Sequence, residues 1–142
     1  YQASNSGVKV ILLVRGFCCL KPGIPGLSEN IEVRSIVGRF LEHHRIYFFA
    51  DGEEDWDGKF FIGSADWMHR NLHSRVEVLT PIYTNELKNH LGNLMEIFLQ
   101  DECKTWILNQ DGSYTQKKGS ESTNSQVKMM TLTKEEYKKF DL

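Results

Sequence analysis

No run of roughly 18 to 20 apolar residues, the length a membrane-crossing helix needs, occurs anywhere in the 142-residue chain. The N-terminus also lacks the charged region followed by an apolar segment that marks a secretory signal, so secretion is not expected. Cysteine is scarce and odd in number. There are three, two of them adjacent at Cys18 and Cys19, with no metal-ligand spacing. Neither a disulfide framework nor a zinc site is indicated, and reduced thiols in the cytoplasm are the simple expectation. Positive charge is not in excess either. A formal net charge of -2 argues against a nucleic-acid module, whose phosphate contacts need a basic face. No internal repeat is found.

What remains is the composition of a soluble globular protein, 40% hydrophobic and 25% charged. The length suits one domain, since chains of this size bury roughly two-thirds of their unfolded surface. Charge is unevenly spread. Residues 1–50 hold Lys9, Arg15, Lys21, Arg34, Arg39 and Arg45 against Glu29, Glu32 and Glu42, whereas residues 51–57 hold five acids and no base. The basic half is suited to face an anion.

The opening segment YQASNSGVKVILLVRG reads as a helix end, a glycine stop at Gly7 and a buried strand over residues 8–14. A chain that begins on a helix end reads as cut from something longer. CCLKPGIPGLSEN is a proline- and glycine-rich loop of the kind that carries sites after α/β strands. IEVRSIVGRFLEHHRIYFF predicts a strand over 31–37, a helical turn over 39–43 and a strand over 45–49. An acidic hairpin connection leads to the strand KFFIGSAD, the loop WMHRNLHS and the strand RVEVLTPI, completing one sheet. Leu87, Leu91, Leu94, Met95 and Phe98 recur at helical spacing and predict an amphipathic core helix over 85–101, N-capped by Thr84. The strand CKTWIL, the turn NQDGS and a strand from Tyr114 form a hairpin. The polar run 116–126 reads as a mobile linker, followed by a short helix with Thr133 and Glu136 as its capping box.

Three clusters at strand ends carry residue types suited to phosphate: Arg15, the group His43-His44-Arg45, and Gly63-Ser64-Ala65-Asp66. An arginine fork matches phosphate oxygens, histidine moves a proton or takes a phosphoryl group near neutral pH, and glycine with serine lets amides and a hydroxyl approach an anion. Each also has a plain structural role: a surface ion pair for Arg15, solvent-facing rings for the histidines, a turn for Gly63-Ser64. The cysteine pair and the three tryptophans most simply serve packing.

A histidine followed some twenty residues later by Gly-Ser-x-Asn is the half-site pattern of the phospholipase D superfamily, and His43 stands at that interval from Gly63-Ser64-Ala65-Asp66. The superfamily's hydrolases carry His-x-Lys-x4-Asp. Here Arg45 replaces the lysine, Ala50 the first aspartate and Asp66 the asparagine, which weakens a phosphodiesterase reading. The longer stretches VRGFCCLKPGIPGLSENIEVRSIVGRFLEHHRIYFF and FIGSADWMHRNLHSRVEVLTPI resemble the C-terminal region of bacterial polyphosphate kinase, the family that makes polyphosphate reversibly from ATP. The resemblance covers about residues 1–115, most densely 14–81, and none of 116–142.

That resemblance implies an α/β fold, a phospholipase D-like mixed sheet flanked by helices, forming one half of a paired-domain arrangement over 1–115, with 116–142 as linker and terminal helix. It implies ATP or ADP and polyphosphate as substrates, Mg2+ held mainly by parts of the enzyme outside this chain, and a phosphohistidine in the preceding domain. A homo-oligomer is also expected. Arg15 of Val14-Arg15-Gly16 and His43 of Leu41-Glu42-His43-His44-Arg45 match the family's nucleotide-contacting residues, with His43 as catalytic partner of the missing nucleophile. The fragment alone is then expected to be inactive. A phosphodiesterase half-domain and a non-catalytic polyphosphate-binding or assembly module remain as alternatives.

Overall fold

The computed structural model describes residues 1–53 and 55–138. The chain is mixed α/β and divides into two compact units, Tyr1–Glu42 with Ile97–Leu142, and His43–Glu96.

The first unit is built on a four-stranded mixed sheet. The helix α1 (Gln2–Asn5) ends at Gly7, whose φ of 81° is the left-handed stop expected there. The strand β1 (Val10–Leu13) pairs in parallel with β2 (Ile31–Ile36), setting Val10 beside Ile31 and Leu12 beside Val33. Alternation along β2 sends Ile31 and Val33 into the core with Leu108, where Val10, Leu12, Val14, Cys18 and Leu20 pack on them. Burial of Ile31, Val33 and Leu108 contributes about 1.5 to 3 kcal/mol for each, and the partly buried neighbours add less.

A parallel pair needs a long crossover, and here it is the proline-glycine loop over 14–30. Ser28 is fully buried within it; its hydroxyl donates to the Lys21 carbonyl and accepts from the Ile24 N–H. Asn30 ties the loop's end to Ser4, donating to its carbonyl at 2.8 Å. The other edge of β2 takes β6 (Thr105–Leu108), antiparallel, and β6 in turn pairs with β7 (Tyr114–Gln116).

The second unit is a three-stranded antiparallel sheet of β3 (Ile46–Phe49), β4 (Lys59–Gly63) and β5 (Leu79–Ile82). One continuous sheet was expected from the sequence. The strands divide instead between two sheets, and β3 does not pair with the preceding β2, both of whose edges are taken, by β1 and β6. Phe60 is buried, with Phe48 at 4.7 Å and Trp56 at 6.0 Å between ring centroids. The long helix α3 (Asn85–Leu99) packs on this aromatic group through Gly92, where a Cβ would fall 2.6 Å from the Trp56 ring.

WMHRNLHS, expected as a loop, contains the helix α2 (His69–Ser74). It holds no glycine or proline, and Leu72 closes the first helical bond onto the Met68 carbonyl at 3.0 Å. The polar run 116–126 also departs from the expected linker. After β7 it makes a 3-10 turn over Glu121–Thr123 and enters α4 (Ser125–Lys138), with Asn124, Ser125 and Gln126 buried. The helix therefore starts eight residues before Thr133. Thr133 is not a cap but an interior residue whose hydroxyl donates to the Met129 carbonyl, and the Glu136 side chain lies outside the described residues.

Candidate functional site

Arg15 stands just beyond the C-terminal end of β1, on the side of a parallel pair where α/β folds place ligands. The Val14 N–H, donating to the Arg34 carbonyl at 2.8 Å, carries the parallel ladder up to that point. Arg15 is partly buried, and its Nη1 donates to the Glu42 carbonyl at 3.0 Å. Glu42 belongs to the irregular segment 37–42, which hangs on the Gln126 side chain. The Phe40 N–H donates to Gln126 Oε1 at 3.0 Å, and Gln126 Nε2 donates to the Phe40 carbonyl at 2.8 Å and the Glu42 carboxylate at 2.6 Å. The helical turn expected over 39–43 is absent for this reason: Phe40 bonds sideways to Gln126 through both of its backbone polar groups.

His43 opens the second unit and is exposed, as is His44. Arg45 Nη1 donates to the His43 carbonyl at 3.0 Å, and Nη2 meets the Asp66 carboxylate at 3.3 Å. The Gly63 N–H donates to the Arg45 carbonyl, and the Tyr47 hydroxyl to that of Ala65 at 2.6 Å. Two of the three sequence clusters, His43-His44-Arg45 and Gly63–Asp66, are thus brought together by β3–β4 pairing. Asp66 serves as orienting partner of Arg45. Trp67 stacks on Tyr47 at 5.3 Å, and burial pushes the Tyr47 phenol above its ordinary pKa.

Ser64, the residue after β4, has partners of its own. Its hydroxyl donates to Glu77 and accepts from the Val78 N–H, and Asn71 donates to Glu77 at 3.0 Å. The hydroxyl and then the amide hold the Glu77 carboxyl below its ordinary pKa. Gly63 is required by close approach, since a Cβ would lie 2.7 Å from the Val78 carbonyl oxygen. These contacts give Gly63 and Ser64 the role of strand junction.

Arg15 lies in the first unit and His43 in the second. A cavity of about 410 Å³ opens in the first unit between Val37–Arg39 and the start of α4, lined also by Lys104 and Glu121; neither Arg15 nor His43 lines it. Among the described residues no group of three or more His, Cys, Asp or Glu is placed to hold a metal ion. Nor is any described helix long and apolar enough to cross a membrane. Sequence reasoning missed Gln126, which sat in the presumed linker. The signal available was Asn124 as an N-cap: its Oδ1 accepts from the N–H groups of Gln126 and Val127.

The family described as polyphosphate kinase C-terminal domain 2 matches residues 1–128, beyond the limit near 115 expected from sequence. The added residues build the 3-10 turn and the start of α4, which hold segment 37–42 in place. A polyphosphate kinase of Pseudomonas aeruginosa is 46% identical over 132 residues, covering 93% of this chain and 19% of that protein. One from Burkholderia ambifaria is 51% identical over 133 residues, 92% of this chain and 19% of the relative. The crystal structure of polyphosphate kinase from Porphyromonas gingivalis superposes with a TM-score of 0.86 at 35% identity, covering 98% of this chain and 21% of that one. The chain thus spans about a fifth of the length of the relatives it matches.

Proposed function

The chain belongs to the polyphosphate kinase family, as its C-terminal domain 2, and from this premise we propose that it is the C-terminal part of an enzyme that reversibly transfers the terminal phosphate of ATP to polyphosphate. The transfer runs through a phosphohistidine in the preceding domain, and this chain contributes nucleotide contacts. The observation that carries the reading is the agreement of that family match with the setting of its two motifs. Arg15 at the end of β1 is anchored on Glu42, the residue before His43.

Phosphoryl transfer depends mainly on positioning and on neutralising charge. Arg15 supplies a planar, permanently charged fork for phosphate oxygens, and its bond to the Glu42 carbonyl limits the orientations of that fork before ligand arrives. His43, exposed at the head of the second unit, stabilises or protonates the leaving phosphate oxygen. Arg45 restrains the backbone there through the His43 carbonyl and is itself braced by Asp66. Magnesium neutralises phosphate charge in such reactions. The ion would be held mainly by parts of the enzyme outside this chain, as the family resemblance implies, together with the substrate phosphates. The cytoplasm is the compartment we propose, in keeping with three cysteines that are all free, and a homo-oligomer is the proposed assembly.

In the full-length kinase, His43→Ala should abolish ATP-dependent polyphosphate synthesis while the melting temperature stays near that of wild type. Substantial retained synthesis in a folded variant would sink the role given to His43.

A further inference from the structure

We propose that Gln126, at the start of α4, is a positioning residue for the nucleotide contact made by Arg15; this rests on the reading of Arg15 given above. Four observations within the first unit carry it. Gln126 is 6% exposed, and its carboxamide is spent on one segment: Oε1 on the Phe40 N–H, Nε2 on the Phe40 carbonyl and the Glu42 carboxylate. The Glu42 carbonyl is the group to which Arg15 donates.

Gln126 is itself fixed from behind. The fully buried Asp101 accepts from both the backbone N–H and the hydroxyl of Ser125, at 2.8 and 2.6 Å, and Asn124 caps the Gln126 N–H. Finally, Gly38 presents no side chain where one would collide with the Gln126 carboxamide. The line of contact runs from the α4 N-terminus through Gln126 to segment 40–42 and on to the Arg15 fork.

A side chain that only filled space would need none of these bonds. An unbonded polar backbone in segment 37–42 would sample several arrangements, and the Arg15 fork would then meet phosphate oxygens in a smaller share of them. The effect belongs to binding. It should therefore appear in the KM for ATP more than in kcat.

The test uses the full-length kinase, with ATP-dependent synthesis and thermal melting measured on each variant. Gln126→Met keeps length and loses every bond; it should raise the KM for ATP about tenfold with kcat changed less than about threefold. Gly38→Ala leaves Gln126 in the sequence but pushes its carboxamide away, and should raise KM in the same sense. Added to Arg15→Ala, Gln126→Met should cause little further rise, because the two act on one contact. Gln126→Glu sets two carboxylates against each other and should be worse than Met. Pairing it with Glu42→Gln restores a donor–acceptor bond to residue 42 but not the bond to the Phe40 carbonyl, and should recover part of the loss.

A wild-type KM in both Gln126→Met and Gly38→Ala, beside a raised KM in Arg15→Ala, overturns the inference and leaves the Arg15 reading standing. Full additivity with Arg15→Ala also overturns it, as does loss of the melting transition in both Gln126→Met and Gly38→Ala, which would make Gln126 a residue of the fold only. A wild-type KM in Arg15→Ala removes the reading of the site and this inference with it.

Discussion

Glu121 is held at about 2, against an ordinary value of 4.5, first by the Asn124 amide and then by the Lys104 ammonium and Cys103 thiol. The Asn124 Nδ2 donates to Glu121 at 2.8 Å, which turns its Oδ1 toward the first N–H groups of α4. Because the folded state lowers this pKa, the contribution to stability is complete above pH 4.5 and is lost as pH falls toward 2. Melting curves of wild type and Glu121→Gln should accordingly differ above pH 4.5, with wild type the more stable, and converge near pH 2. Parallel curves across that range would count against the Asn124–Glu121 contact. The residue types at Arg15 and His43 were readable from motif alone, whereas the pairing of Arg45 with Asp66 came only from the structure. The roles of Glu42 and Gln126 were not, since a glutamine in a polar run has no feature that distinguishes it from a solvated one.

Most elements were legible where a local period or punctuation marks them. The alternation in β2, the helical spacing in α3 and the Gly112 turn between β6 and β7, with its φ of 87°, are properties of neighbouring residues. Boundaries and caps depended on distant groups. The strand expected from Cys103 starts at Thr105 because Asp101 Oδ1 accepts from the N–H groups of Cys103 and Lys104, at 2.9 and 2.7 Å, bending the chain before the ladder begins. Its other oxygen holds Ser125, so one buried carboxylate joins the end of α3, the start of β6 and the start of α4. Arg34 adds a second tie, donating to the Leu99 carbonyl at 2.7 Å at the C-terminus of α3. Asp101→Ala leaves those donors without a partner and should cost about 3 kcal/mol or more of unfolding free energy, measured by urea denaturation. A loss under about 1 kcal/mol would mean that water replaces the carboxylate fully.

At the scale of the molecule, the described residues form two sheets and four α-helices with two sets of phosphate-suited residues, and the chain spans about a fifth of its relatives' length. We expect the purified 142 residues to bind ATP weakly at best and to turn nothing over; ATPase or kinase activity from them would refute the half-site reading. The sequence by itself determined the α/β class, the strands and main helix, the family, and Arg15 and His43 as the residues to test, because those follow from local pattern and from motif. Only the tertiary structure decided that the strands divide between two sheets, that 39–43 is not helical, and that α4 begins at Ser125. The physical reason is the same in each case. Backbone groups choose partners from whatever folding brings near, and the bonds from Gln126 to Phe40 and Glu42 join positions 86 and 84 residues apart, a separation that leaves no trace in local periodicity.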